Sequence, residues 1–146
     1  MHEPAPLPPV HLAGNGTFRL EPRGAGRSER QDALLEIAGR KHQGGVDIPV
    51  EAVLVREPDN LVDPRAVRVE IGGKHVAYLS REHAREVCIV LQWRMLATCA
   101  ARIVGGWKRE ATMNKDGSER RAASEGSFGV RLDVVLPARE AEDVTE

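Results

Sequence analysis

Two periodicities alternate along the chain and set its predicted elements. Val67, Val69 and Ile71 alternate with Arg68 and Glu70, the mark of a half-buried strand. Gly72-Gly73 suits a two-residue hairpin turn, and Lys74–Leu79 returns as the partner strand. Val50–Arg56 predicts another strand, with β-branched Val50, Val53 and Val55 between Pro49 and Pro58. Leu34–Arg40 reads as a first strand, Thr98–Val104 as a fifth and Phe128–Leu136 as the last. Only one segment has clear helical spacing. Ala84, Val87, Cys88, Leu91 and Met95 follow Ser80, whose hydroxyl suits an N-cap. The spacing predicts a helix over Arg81–Leu96, with Trp93 in its buried core. The sum is a mainly β domain with one principal helix (β+α). Short antiparallel strands of this kind tend to close into a small barrel.

Three regions are expected. Residues 1–31 read as a flexible leader, since Pro4–Pro9, Gly14–Gly16 and Gly24–Gly26 carry no apolar period. Within it, Phe18 and Leu20 alternate with Arg19 and Glu21, enough for a short added strand. Residues 32–137 form the folded domain, and 138–146 an acidic, solvated tail. Inside the domain, Asn114-Lys-Asp-Gly117 predicts the tip of a polar ribbon over Lys108–Glu125. Arg120 and Arg121 on that ribbon are within the repertoire of phosphate contacts, though a plain solvated hairpin is the simpler expectation.

Composition narrows the function classes. Aromatic residues are 3% of 146, so the core rests on Val, Leu, Ile and Ala. The formal net charge of −1 excludes a histone-like protein held to nucleic acid by bulk charge. Residues 34–137 are mildly basic, however, with 16 Lys or Arg against 14 acids. No apolar run reaches the ~20 residues of a membrane span. Met1–Val10 has four prolines and no charged-then-apolar order, so no signal peptide is expected. Two cysteines, Cys88 and Cys99, fit small buried side chains in a reducing, cytoplasmic compartment.

Enzyme signatures are missing: no G-x-S-x-G elbow, no P-loop lysine, no H-E-x-x-H. His83 and Cys88 are five apart on the predicted helix, which splits them across faces, so no metal or cofactor is expected. Asp59 and Asp63 share a loop with Asn60. Their simplest use is to cap backbone N–H groups there.

One segment points further. Val53–Glu82 contains Arg56-Glu57-Pro58-x-Asn60-x-x-Asp63-x-x-Ala66, then the strand of Val67 and Val69, then a glycine hairpin ending in Ala77-Tyr78-Leu79-x-x-Glu82. This resembles the HIRAN domain, whose pattern usually has Gly where Ala77 stands. The likeness extends over about residues 34–137, with Ile37-Ala-Gly39 resembling the opening strand. It implies a small OB-like antiparallel barrel of about six strands. It also implies a DNA-binding module, not an enzyme, that grips the 3′-hydroxyl end of single-stranded DNA in repair or replication. A separate helicase or nuclease would be its partner.

Carried over by position, Asp63 accepts a hydrogen bond from the 3′-hydroxyl, as an acceptor-only carboxylate can. Asn60 shapes the pocket, and Arg40 supplies a cation near the terminal nucleotides. Tyr78 and Arg81 touch the backbone. Two family positions that hold base-stacking rings appear here as Lys41, which still binds by attracting phosphate, and Val62, which offers apolar contact, with Trp107 and His42 as alternative stackers. Loss of those rings leaves an alternative open, a degenerate barrel that serves as a protein-protein interaction module.

Overall fold

A computed structural model describes residues 8–142. In chain order the first half holds β1 (Val10–His11), α1 (Ser28–Ala38), β2 (Val46–Arg56), β3 (Val67–Ile71), β4 (Lys74–Tyr78) and α2 (Arg81–Leu91). The second half holds β5 (Leu96–Gly105), β6 (Lys108–Arg109), β7 (Thr112–Met113), β8 (Glu119–Arg121), β9 (Ser124–Glu125) and β10 (Phe128–Asp133). One six-stranded sheet carries the fold, in the order β1-β5-β2-β3-β4 with β10 also on β5. The protein is thus mainly β, as expected. The sheet has two ends and does not close strand to strand into a barrel. Instead Leu20 exchanges both backbone bonds with Leu132, and Arg23 does the same with Tyr78. The segment Leu20–Arg23 so stitches β10 to β4, the two separate edges.

The strands form where alternation demanded them. β3 buries Val67, Val69 and Ile71 and half-exposes Arg68 and Glu70. Gly72 and Gly73 have φ of 59° and 77°, a turn that costs a side-chain-bearing residue strain. Pro49 is tolerated inside β2 because β3 pairs only from Ala52 onward. Pro49 therefore has a neighbour on one side alone, Arg102 of β5. The core joins Leu54, Val69 and Val76 of the sheet to Ile103 and Leu132, and each is at most 2% exposed. Every such side chain contributes about 1.5–3 kcal/mol by leaving water.

Several expectations are corrected. Leu34–Arg40 is not a strand; it is the second half of α1 and its cap. Ala33, Leu34, Ile37 and Ala38 recur at helical intervals, and all four pack into the core. Gly39 ends the helix with φ 91°, its N–H donating to Leu35 O. Among the described residues there are accordingly two helices rather than one. Residues 8–31 are not a loose leader either. Val10 and Leu12 are buried against β5, and Val10 pairs in parallel with Ala97. The buried carboxylate of Asp133 accepts N–H bonds from Asn15, Gly16 and Phe18, which fastens the glycine-rich stretch. A Cβ on Gly14 would lie 2.3 Å from Asp133 Oδ2, so the chain passes only as glycine. The leader's residues 1–7 and the tail's 143–146 lie outside the described residues.

The tail is also engaged as far as it is described. Leu12 bridges Glu140, and Ala141 N–H donates to His11 O. The helix begins as predicted, with Ser80 Oγ accepting from His83 N–H at 3.2 Å. It stops at Leu91 rather than Leu96, because Gln92 turns to φ 56°. Trp93 therefore leaves the helix and is 71% exposed, not part of a core. No helix among the described residues is long and apolar enough to cross a membrane.

Candidate functional site

The loop between β2 and β3 is built almost entirely from its own hydrogen bonds. Glu57 N–H donates to Ala66 O and closes the base at 3.0 Å. Asn60 Oδ1 accepts from the N–H of Val62 at 2.9 Å and of Asp63 at 3.1 Å. Asp63 Oδ1 accepts from Arg65 N–H at 3.0 Å. These are side-chain-to-backbone turns of the kind Asn and Asp favour. They hold the loop in one shape and lift Leu61 and Val62 clear of the body, Val62 at 85% exposure.

Glu57 anchors this loop to the sheet. Its carboxylate accepts from Asn60 Nδ2 at 3.0 Å, from Arg68 Nη1 at 3.0 Å and from Tyr78 Oη at 3.1 Å. Burial pushes its carboxyl up, but the bonds from Asn60, Tyr78 and Arg68 outweigh that and hold it below the usual range. Burial pushes the Tyr78 phenol up, and donation to Glu57 adds to the rise. The Tyr78 hydroxyl is therefore spent inside the protein rather than offered to a phosphate. Its ring takes the Arg30 guanidinium at 5.1 Å and the His75 ring edge-on at 4.6 Å.

A cleft of about 230 Å³ opens between this loop, the end of β4 and the start of α2. Asn60, Val62, Asp63, Tyr78 and Arg81 all line it. Asp63 Oδ2 faces Arg81 Nε at 3.9 Å, an ion pair too long for a hydrogen bond. The Arg81 side chain is 76% exposed and that of Asp63 26%. The site so offers one carboxylate oxygen with no hydrogen-bond donor beside one open guanidinium.

Four of the six expected binding residues thus share one place. Arg40 and Lys41 do not join them. The Gly39 cap delivers them to the Val46 end of β2, whereas the loop leaves from the Arg56 end of that eleven-residue strand. Lys41 pairs with Glu125 at 3.2 Å and lies 6.0 Å from the Phe128 ring. It lines a separate polar cleft with Lys108 and Arg121. Trp107 and His42 sit at that same end, bridged to each other, with Arg109 over the Trp107 ring at 5.0 Å. They are not stackers for the Asp63 cleft. Among the described residues no group of three or more His, Cys, Asp or Glu stands close enough to hold a metal ion.

No family model, curated protein or solved structure matches the chain. Residue types alone did not single out Glu57 as the anchor. The signal was its spacing: Glu57 and Asn60 are three apart in a proline-flanked loop, and Arg68 and Tyr78 stand directly opposite each other in β3 and β4.

Proposed function

We propose that the chain is a nucleic-acid-binding module that seats the 3′-hydroxyl end of single-stranded DNA in the Asp63 cleft, in DNA repair or replication. The observation that carries this reading is the free Asp63 Oδ2 beside the open Arg81. An ionised carboxylate accepts a hydroxyl proton and repels a phosphate. A guanidinium next to it pairs with the phosphate one step inward. The loop is held by internal bonds before any ligand arrives, so little ordering cost falls on binding. The HIRAN-like motif over Arg56–Glu82 and an OB-like reading of the curled sheet, stitched by Leu20–Arg23, support the same view. In this reading the chain binds and does no chemistry, with a helicase or nuclease acting beside it.

The test is fluorescence anisotropy with a short labelled oligonucleotide ending in a 3′-hydroxyl or a 3′-phosphate, at two salt concentrations. The hydroxyl end binds more tightly, and Asp63→Ala removes the preference. Equal affinity for both ends in the wild type refutes the proposal. A second reading has one observation in its favour: Leu61 and Val62 are fully or largely exposed apolar side chains on a rigid loop tip. A protein partner would cover them. Under that reading, Leu61→Ser, outside the cleft lining, abolishes capture of a partner protein and leaves oligonucleotide binding unchanged.

A further inference from the structure

We infer that the strand continues from the Asp63 cleft along one face of α2 and that a base stacks on Trp93. This rests on the reading that the cleft takes a single-strand end, and it adds a track that the cleft alone does not require.

Residues of a helix advance about 100° each, so Arg81, Arg85, Cys88 and Gln92 fall within about 60° of one another. That stripe is tied to the loop and to β2 at three points. Arg81 faces Asp63 at 3.9 Å, Cys88 Sγ contacts Arg65 O at 3.8 Å, and Gln92 O accepts from Arg56 Nη1. The seam between α2 and the loop is therefore bordered by Arg81 and Arg85 on one side and Arg65 and Arg56 on the other. Among the described residues, Arg56, Arg65 and Arg85 have no carboxylate partner within 4 Å. Glu82 and Glu86 lie about 100° and 140° round the helix from Arg81, away from the seam. Of the nearby loop acids, Glu57 is already paired with Arg68, while exposed Asp59 lines the same cleft as Arg56 and Met95 at the far end of the seam. A row of guanidiniums of which three have no carboxylate partner fits a chain of phosphates along the seam.

Trp93 stands at the far end of this row. Gln92 sits at φ 56° and ψ −110°, a backbone conformation that non-glycine residues rarely adopt. That turn ends the helix and leaves the indole 71% exposed. Met95, two residues on, lines a second cleft with Arg56, Glu57 and Asn60, so the turn and the loop share a wall. An exposed indole at the end of a cationic seam is a stacking platform. The eleven residues of α2 span ~17 Å at 1.5 Å each. At ~3.4 Å per stacked nucleotide, Trp93 meets about the fifth base from the end.

The experiment measures the affinity of the full chain for 3′-hydroxyl oligothymidylates of two, four, six and eight nucleotides. The wild type is compared with Trp93→Ala, Arg85→Gln and Asp63→Ala, each checked for native circular dichroism. Affinity should rise up to about six nucleotides and then level off. Trp93→Ala should weaken the six- and eight-mers by about 5- to 100-fold and leave the two-mer unchanged. Arg85→Gln should lower the slope of log affinity against log salt by about 0.7. Binding that depends on Asp63, ignores length and tolerates Trp93→Ala overturns the track and spares the end-binding reading. Length-dependent binding that needs Trp93 but tolerates Asp63→Ala keeps the track and overturns end recognition. No binding by the wild type overturns both.

Discussion

Removing the Glu57 carboxylate should loosen the loop and the cleft together. Three donors converge on it, from Asn60, Arg68 and Tyr78 at 3.0–3.1 Å. A bond to a charged group contributes about 1.5–3 kcal/mol. The Glu57 and Arg68 side chains keep 15% and 32% of their exposure, so water replaces part of each bond. About 1 kcal/mol per bond is the fitting scale, and Glu57→Ala should cost about 3 kcal/mol, or roughly 10 °C in Tm. Glu57→Gln keeps the shape and one acceptor but points an NH₂ at donors, so about 1–2 kcal/mol is expected. The carboxyl is held below its usual range, so the sign with pH is fixed. Its contribution is whole above the unfolded value of about 4.3 and is lost as pH falls through the lower folded value. Urea unfolding at pH 7 and pH 3 reads both effects. The gap between wild type and Glu57→Gln should narrow at the lower pH. A Glu57→Ala loss under about 0.5 kcal/mol, or a gap that ignores pH, would refute the anchor.

Three other outcomes are expected. Asp133→Ala should free the amides of residues 14–18 to exchange with solvent at least tenfold faster, with β3 and β4 unchanged, because its oxygens hold Asn15, Gly16 and Phe18. Iodoacetamide should label half-buried Cys88 well before Cys99, whose thiol burial pushes up to about 12; equal rates in the folded protein would contradict the buried placement. Gly106→Ala should destabilise by about 2 kcal/mol or more, since φ is 63° and the new Cβ would sit 2.1 Å from the Phe128 ring. Gly44→Ala, with open space around it, is the matched control.

Much of the sheet was legible in the sequence because its signals are local. The β3–β4 hairpin is written in a period of two and a Gly-Gly turn, and the start of α2 in Ser80. The misread parts have distant partners. Val10 and Leu12 look like a loose leader until Ala97 and Thr98, some 87 residues on, supply the other side. Leu34–Arg40 holds one β-branched residue among good helix formers. Its neighbours in sequence hid a helical period that a wider window exposes. The end of α2 was invisible because nothing in residue type marks Gln92 for a turn at positive φ. At the site, the motif's Asn60, Asp63, Tyr78 and Arg81 line one cleft. Arg40 and Lys41 were misplaced with the misread strand.

β5 has neighbours along both of its sides: β2 on one, and β1 and β10 end to end on the other. Each of these arrives from far away in the chain. During synthesis from the N-terminus, β1 and β2 emerge long before β5 exists to receive them. β10 is made last and covers the edge that remains. The core therefore stays open to water and to neighbouring chains until β10 has been translated, the interval in which exposed edges aggregate. Expression yield should respond most to changes that lower the stickiness of the β5 edge, even where they leave the finished protein no more stable.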